Sequence, residues 1–199
     1  MSAPTAAAVM NGVEALKVLT RIRTDEIVVL SESTRQDWPP ISTNPDLDIA
    51  ITGSMGKASS FGLGLALSRP DRRVWALDTD GALLMNLGSL VTIAKAKPAN
   101  LVHFVYDNDA YDTTGGQPTP GSHMVDFKGI AQNAGYPRVF RFTQLDELER
   151  AIGGILSGEL PALVVLKIAS EGRRANFQMK RMYDSFATIR EYLAQHQPA

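Results

Sequence analysis

The stretch RRVWALDTDGALLMN, residues 72–86, decides the fold class of this chain. Its first half, 72–78, is apolar and predicts a buried strand. A helix is predicted over 86–97, ending before Pro98, and the apolar run LVHFVYD over 101–107 predicts a second strand. A strand, a crossover helix and a further strand form a unit whose two strands are parallel. The stretch therefore predicts one repeat of an α/β fold.

The same alternation extends in both directions from this unit. The predicted strands are 26–30, 47–52, 72–78, 101–107, 138–142 and 161–169, and the predicted helices are 5–22, 57–68, 86–97, 126–134, 144–157 and 176–195. Thr143 is the predicted N-cap of the helix over 144–157. Because the strands are apolar throughout, both faces of the sheet should be covered. We expect one α/β domain over residues 1–199, with a three-layer, doubly wound, mostly parallel sheet.

Composition excludes several classes of function. The 44% hydrophobic and 21% charged residues are typical of a globular protein with a substantial core. A net charge of −1 and the lack of a basic run argue against nucleic-acid or membrane partners. The chain has no Cys, which excludes disulfides, thiolate catalysis and Cys-held clusters. Its first residues lack the charge order of a signal peptide, so we expect a cytoplasmic protein.

Polar residues follow two of the predicted strands. Ligands of doubly wound sheets bind at the carboxyl ends of strands, so the loops after residues 30, 52, 78 and 107 are the places to search. Asp80 and Gly81 stand in one of these loops, and Asn108 and Asp109 stand in another. Because the two strand ends return to one edge, their oxygen atoms could share a magnesium ion.

The segment Thr79–Asn108 resembles the motif of thiamine-diphosphate enzymes, which runs Gly-Asp-Gly and, further along, Asn-Asn. The resemblance implies that Asp80, the Asn108 side chain and the Ala110 carbonyl bind Mg²⁺. Backbone N–H groups of Gly81 and Ala82 would bind the diphosphate. The two departures are Thr79 for the first Gly and Asp107 for the first Asn.

The segment GSMG, residues 53–56, is similar to the family segment that holds the cofactor bent. That likeness implies that Gly53, Ser54 and Met55 bind the cofactor. The Gly53 carbonyl would accept from the aminopyrimidine, and Met55 would be an apolar wedge between its rings. Residues 50–120 look like the decarboxylases of sulfopyruvate and phosphonopyruvate, and Tyr111 lies in the variable segment that would face the substrate.

Further candidates each have a simpler structural interpretation. Ser31 and Ser33 could contact the diphosphate or only form local turns. Gln117 could contact substrate or diphosphate, or stabilise a turn. His123 could relay a proton or be an ordinary loop histidine. His103 lies within a predicted strand and is expected to be a core residue.

The resemblance also implies a partner chain. In the family, a glutamate from a pyrimidine-binding domain activates the cofactor, and the roughly 50 residues before Gly53 are too few for such a domain. We expect a hetero-oligomer, a dimer or tetramer of pairs, that decarboxylates a small 2-oxo acid with thiamine diphosphate and Mg²⁺. A carboligase or other lyase subunit and a non-catalytic subunit remain alternatives. Zero Cys argues against the ferredoxin-linked 2-oxo-acid oxidoreductases.

Overall fold

A computed structural model describes residues 9–172 and 182–196. Its strands are β1 (Ile27–Leu30), β2 (Asp48–Ala50), β3 (Val74–Thr79), β4 (Leu101–Asp107), β5 (Ala110–Tyr111), β6 (Gln117–Pro118), β7 (Arg138–Phe142) and β8 (Ala162–Lys167). Within these described ranges, six strands form one sheet in the order β2-β1-β3-β4-β8-β7, and every pairing in it is parallel. β5 and β6 form a separate antiparallel pair.

Helices cover both faces of the sheet. They are α1 (Gly12–Ile22), α2 (Thr34–Asp37), α3 (Ala58–Ser68), α4 (Asp80–Leu84), α5 (Gly88–Ala96), α6 (Phe127–Ala134), α7 (Leu145–Leu156) and α8 (Met182–Gln195). One core cluster joins α1 and α7 to residues such as Trp75 and Phe104. The second joins α3, α5, α6 and α8 to Val74 and Ala76. Successive strand residues thus enter opposite cores, and the predicted three-layer, doubly wound fold is confirmed.

Some predicted boundaries were wrong. Residues 9–11 of the predicted first helix are not helical, and α1 begins at Gly12 because the Asn11 side chain accepts from the Glu14 N–H at 3.0 Å and caps it. Met10 instead pairs with Ile168 as an extension of the sheet. The N-cap of α7 is Gln144 and not Thr143. Residues 5–8 of the predicted first helix and 176–181 of the predicted last helix lie outside the described residues.

Two loops at the carboxyl edge contain structure that the sequence pattern did not indicate. The chain leaves β3 directly into the short helix α4, and the long loop after β4 folds into the β5–β6 hairpin. Both segments follow the carboxyl ends of two adjacent strands, β3 and β4, so they lie at the same edge of the sheet. Among the helices described, none combines the length and apolar composition that a membrane span requires.

Candidate functional site at the carboxyl edge of the sheet

Three adjacent strands bring charged side chains together at one edge. The register pairs Thr79 of β3 with Tyr106 of β4, and Asp107 of β4 with Lys167 of β8. Asp80 directly follows β3, and the carboxylates of Asp80, Asp107 and Asp109 offer oxygen atoms that all lie within 4.8 Å of one another. The sheet order therefore assembles an acidic cluster with one lysine from segments that are distant in sequence.

Asp80 is the most unusual carboxylate of this cluster. Its side chain is buried, and Oδ1 has no hydrogen-bond partner among the described residues. Oδ2 accepts a long hydrogen bond from Thr119 Oγ1, at 3.4 Å. Burial raises the pKa of Asp80 to about 7, against the lowering effect of the Gly81 backbone, and Asp107 and Asp109 raise it further. A buried carboxylate with an unsatisfied oxygen is costly in a folded chain and is typical of a ligand-binding position.

Lys167 is the basic residue of the site, and sequence reasoning missed it. Its Nζ donates to Asp107 Oδ1 at 3.0 Å and also contacts Asp109 Oδ2. Burial raises the pKa of Asp107, and Lys167 opposes that rise. The sequence feature that could have indicated Lys167 is its position at the end of an apolar strand, β8, where ligands of such sheets bind. Without the sheet order, nothing placed that lysine beside β4.

Asp109 connects this cluster to His123. Its Oδ1 accepts from the His123 backbone N–H at 2.9 Å, and its Oδ2 lies 2.8 Å from the ring Nδ1. Although burial acts to raise the pKa of Asp109, the hydrogen bonds from His123 and Lys167 lower it. The His123 side chain is 82% exposed. His123 therefore stands on the solvent side of the cluster, with its ring oriented by a carboxylate.

Asn108 lies between the two carboxylates that bind Lys167, and it is held in place from both ends. Its Oδ1 accepts from the Ala110 N–H at 3.1 Å, and its Nδ2 donates to Asp112 Oδ2 at 2.7 Å. Ser170 Oγ in turn donates to Asp112 Oδ1 at 2.6 Å. The structure thus fixes the segment from Asn108 to Ala110 next to Asp80, which is where the sequence motif placed it.

Gly81 is required because Tyr111 packs directly over it. A Cβ at Gly81 would lie 2.5 Å from Tyr111 Cε1 and 3.2 Å from Thr119 Cγ2. The N–H of the next residue, Ala82, donates to Thr79 Oγ1 at 3.3 Å. Thr79, the first departure from the family motif, is the N-cap of α4. The contact of the Ala82 N–H with the diphosphate stays a prediction, and it would compete with the bond to Thr79.

The loop 53–56 packs against the same helix, α4. Gly53 and Gly56 have positive φ angles of 65° and 75°, which favour glycine. The Gly56 carbonyl accepts from Asn86 Nδ2 at 2.8 Å, and a Cβ on Gly56 would lie 2.9 Å from the Ala82 carbonyl oxygen. Ser54 and Met55 are half-buried at this edge. The second predicted cofactor loop thus lies beside the Asp80 loop.

Other predicted site residues have structural partners. Ser31, the first residue after β1, is fully buried and donates to Asp78 Oδ1 at 3.0 Å. Ser33 is half-buried at the start of α2. Gln117 is exposed, and its Nε2 donates to the Thr114 carbonyl at 3.1 Å, which is the turn-stabilising interpretation. His103 is a buried core residue, as predicted, with Nδ1 3.3 Å from Tyr136 Oη.

Residues 41–166 match the sequence model of the family described as thiamine pyrophosphate enzyme, C-terminal TPP binding domain. A phosphonopyruvate decarboxylase from Streptomyces hygroscopicus is 44% identical over 62% of this chain and 30% of its own length. The sulfopyruvate decarboxylase subunit beta of Methanothermobacter thermautotrophicus is 41% identical over 72% of this chain and 76% of its own length. The chain thus spans under a third of the first relative and most of the second.

A solved structure of similar fold is described as a thiamin diphosphate-dependent enzyme from Mycobacterium smegmatis. It superposes with a TM-score of 0.69 at 26% identity, over 81% of this chain and 32% of that chain. The family match over residues 41–166 includes both loops that carry Asp80 and Asn108. Fold and sequence comparisons therefore point to the same family.

Proposed function

Because the chain belongs to the thiamine pyrophosphate enzymes, through their C-terminal TPP binding domain, we propose that it is the diphosphate-binding subunit of a 2-oxo-acid decarboxylase. The observation that carries this proposal is the buried, half-satisfied carboxylate of Asp80 beside the Asn108 segment. The names of the relatives, phosphonopyruvate and sulfopyruvate decarboxylases, support a small anionic 2-oxo acid as the substrate.

The residues at the edge suit a magnesium diphosphate. Mg²⁺ prefers oxygen ligands and keeps positions open for phosphate oxygens. Asp80, the Asn108 side chain and the Ala110 carbonyl would supply such oxygens, and the free Oδ1 of Asp80 is unsatisfied without a cation. The Gly81 backbone, which has no side chain of its own, would let the diphosphate approach. When bound, the cofactor supplies an electron sink for the carbanion that remains after loss of CO₂.

The chain's own residues would bind and orient the cofactor and shield it from water. Gly53 and Ser54 would hold the pyrimidine end of the cofactor, and the half-buried Met55 would support its bent shape. Tyr111, which packs over Gly81, would close the site against water. His123, which is oriented by Asp109 and open to solvent, would give or take a proton on the substrate.

A partner chain would complete the site with the activating glutamate. The exposed outer side of α3 and α5, which we call the α3–α5 face, is the surface we assign to it. Leu67 of α3 and Val91 of α5 are 58% and 59% exposed, and Met85, at the end of the neighbouring α4, is 56% exposed. Helix α3 contains no charged residue. A helix that is apolar around its circumference is normally covered. The face begins beside the loop 53–56, since Asn86 bonds both Gly56 and Ser60.

Calorimetry of the full chain with thiamine diphosphate and Mg²⁺ tests the binding step. We expect heat of binding in the wild type and none in Asp80→Ala, while the exposed-site control Asp46→Ala binds like the wild type. The chain reconstituted with its partner should then release CO₂ from phosphonopyruvate or sulfopyruvate. No heat in the wild type, even with the partner present, would favour a non-catalytic subunit. Condensation with an added aldehyde in place of simple release would indicate a carboligase.

A further inference from the structure

Lys167, the basic residue of the site, is held by two carboxylates. It stands at the last residue of β8, its side chain is 15% exposed, and it contacts both Asp107 and Asp109. Those two residues flank Asn108 on either side in the chain. Lys167 therefore controls the charge and the position of the segment that carries Asn108.

Without Lys167, the three carboxylates of the acidic cluster would leave the site too negative for a diphosphate. Three carboxylates within 4.8 Å of one another could all bind one divalent cation, and a cation so enclosed has fewer positions left for phosphate oxygens. Unneutralised carboxylates would also repel the diphosphate, and like charges at this spacing interact strongly when they are partly buried. In the structure, two of the three carboxylates are already engaged by Lys167. Of the three, only Asp80 has a fully buried oxygen without a hydrogen-bond partner among the described residues.

We propose that Lys167 is a positioning residue that neutralises Asp107 and Asp109, so that the cation is held by Asp80 and the Asn108 segment and remains open to the diphosphate. The same pairing explains how the chain tolerates Asp107 where the family motif has Asn. This inference rests on the proposed function, since it concerns the affinity of the same site for the magnesium diphosphate.

The test measures two affinities on the full chain, one for Mn²⁺ alone and one for thiamine diphosphate at saturating Mg²⁺. In Lys167→Met we expect Mn²⁺ to bind at least as tightly as in the wild type, because a negative charge is left unneutralised. The diphosphate should bind on the order of tenfold more weakly. The double variant Lys167→Met/Asp107→Asn has the wild-type net charge and should recover most of the lost affinity. Lys17→Met, which removes a lysine from its ion pair with Glu14 on α1, is the matched control.

The opposite signs of the two changes separate this role from simple damage to the fold, which would weaken both ligands. Unchanged diphosphate affinity in Lys167→Met would overturn the proposal. So would a double variant as weak as Lys167→Met, because Lys167 would then act on the ligand and not through Asp107. If the wild-type chain bound no thiamine diphosphate, the proposed function itself would fail, and that result is distinct from either of these.

Discussion

The carboxylate of Asp80, the proposed main ligand of Mg²⁺, should destabilise the folded chain when no metal is bound. The variant Asp80→Asn tests this directly. Burial raises the carboxyl pKa from 3.8 to about 7. At 1.36 kcal/mol for each pH unit, that difference corresponds to about 4 kcal/mol at pH 8. Asn has nearly the same shape and no charge, so in the presence of a chelator the variant should be more stable than the wild type by up to about this amount.

The direction with pH follows from which state binds the proton more tightly. Between pH 4 and pH 7 the unfolded chain loses the Asp80 proton while the folded chain keeps it, so stability falls as the pH rises through this window. Roughly 2.5 kcal/mol of the difference between Asp80→Asn and the wild type should develop between pH 5 and pH 8. Comparing the two proteins cancels the other titrating groups, which both share.

Urea unfolding with EDTA at pH 5, 6, 7 and 8 measures this difference. The exposed-site control Asp46→Asn should show no comparable pH dependence relative to the wild type. Added Mg²⁺ with thiamine diphosphate should stabilise the wild type and leave Asp80→Asn unchanged. A constant difference between Asp80→Asn and the wild type across the four pH values would refute the reasoning, because the carboxylate would then be neither desolvated nor strained by its neighbours.

Three further substitutions test the walls of the site and the surface beside it. Thr79→Gly should cost only a few tenths of a kcal/mol in unfolding free energy. It should also tighten diphosphate binding, because it releases the Ala82 N–H from its bond to the Thr79 hydroxyl; weaker binding in calorimetry would contradict this. Gly81→Ala should lose about 1–3 kcal/mol through the clash with the Tyr111 ring. Tyr111→Ala in the same chain should restore most of that loss in urea unfolding, and no recovery would locate the strain elsewhere. Leu67→Asp together with Val91→Asp should abolish co-purification with the partner chain and change the unfolding free energy by under about 0.5 kcal/mol; retained partner binding would remove the α3–α5 face as the interface.

The fold could be predicted from the sequence because each strand is marked by its own local run of apolar residues. Apolar strands bounded by turns predicted every strand of the six-stranded sheet, and 101–107 coincides with β4. Predicted helix boundaries were wrong where a capping side chain, and not the spacing of apolar residues, sets the end of the helix. The first helix begins at Gly12 because the Asn11 side chain caps it there, which the spacing of apolar residues did not indicate. Helix α4 was missed because it is too short for helical periodicity to show.

Candidate site residues could be predicted from the sequence only where they directly follow a strand in the chain. Asp80 and Asn108 follow β3 and β4 directly, and the topology of a parallel unit brings them to one edge. Ser31 also follows a strand, yet its side chain turns inward to Asp78, which position alone does not reveal. Lys167 and the cap at Thr79 depend on three-dimensional neighbours, and a single sequence carries no record of them.

The two departures from the family motif have different consequences for the same edge. Thr79 uses its hydroxyl to satisfy the first turn of α4, so it adds local order and removes one N–H that a diphosphate could have bound. Asp107 adds a buried negative charge, and the structure pairs it with Lys167 at 3.0 Å. A buried charge that loses its partner typically costs several kcal/mol. Asp107 and Lys167 should therefore be exchanged together in any functional variant, whereas Thr79 can be exchanged alone.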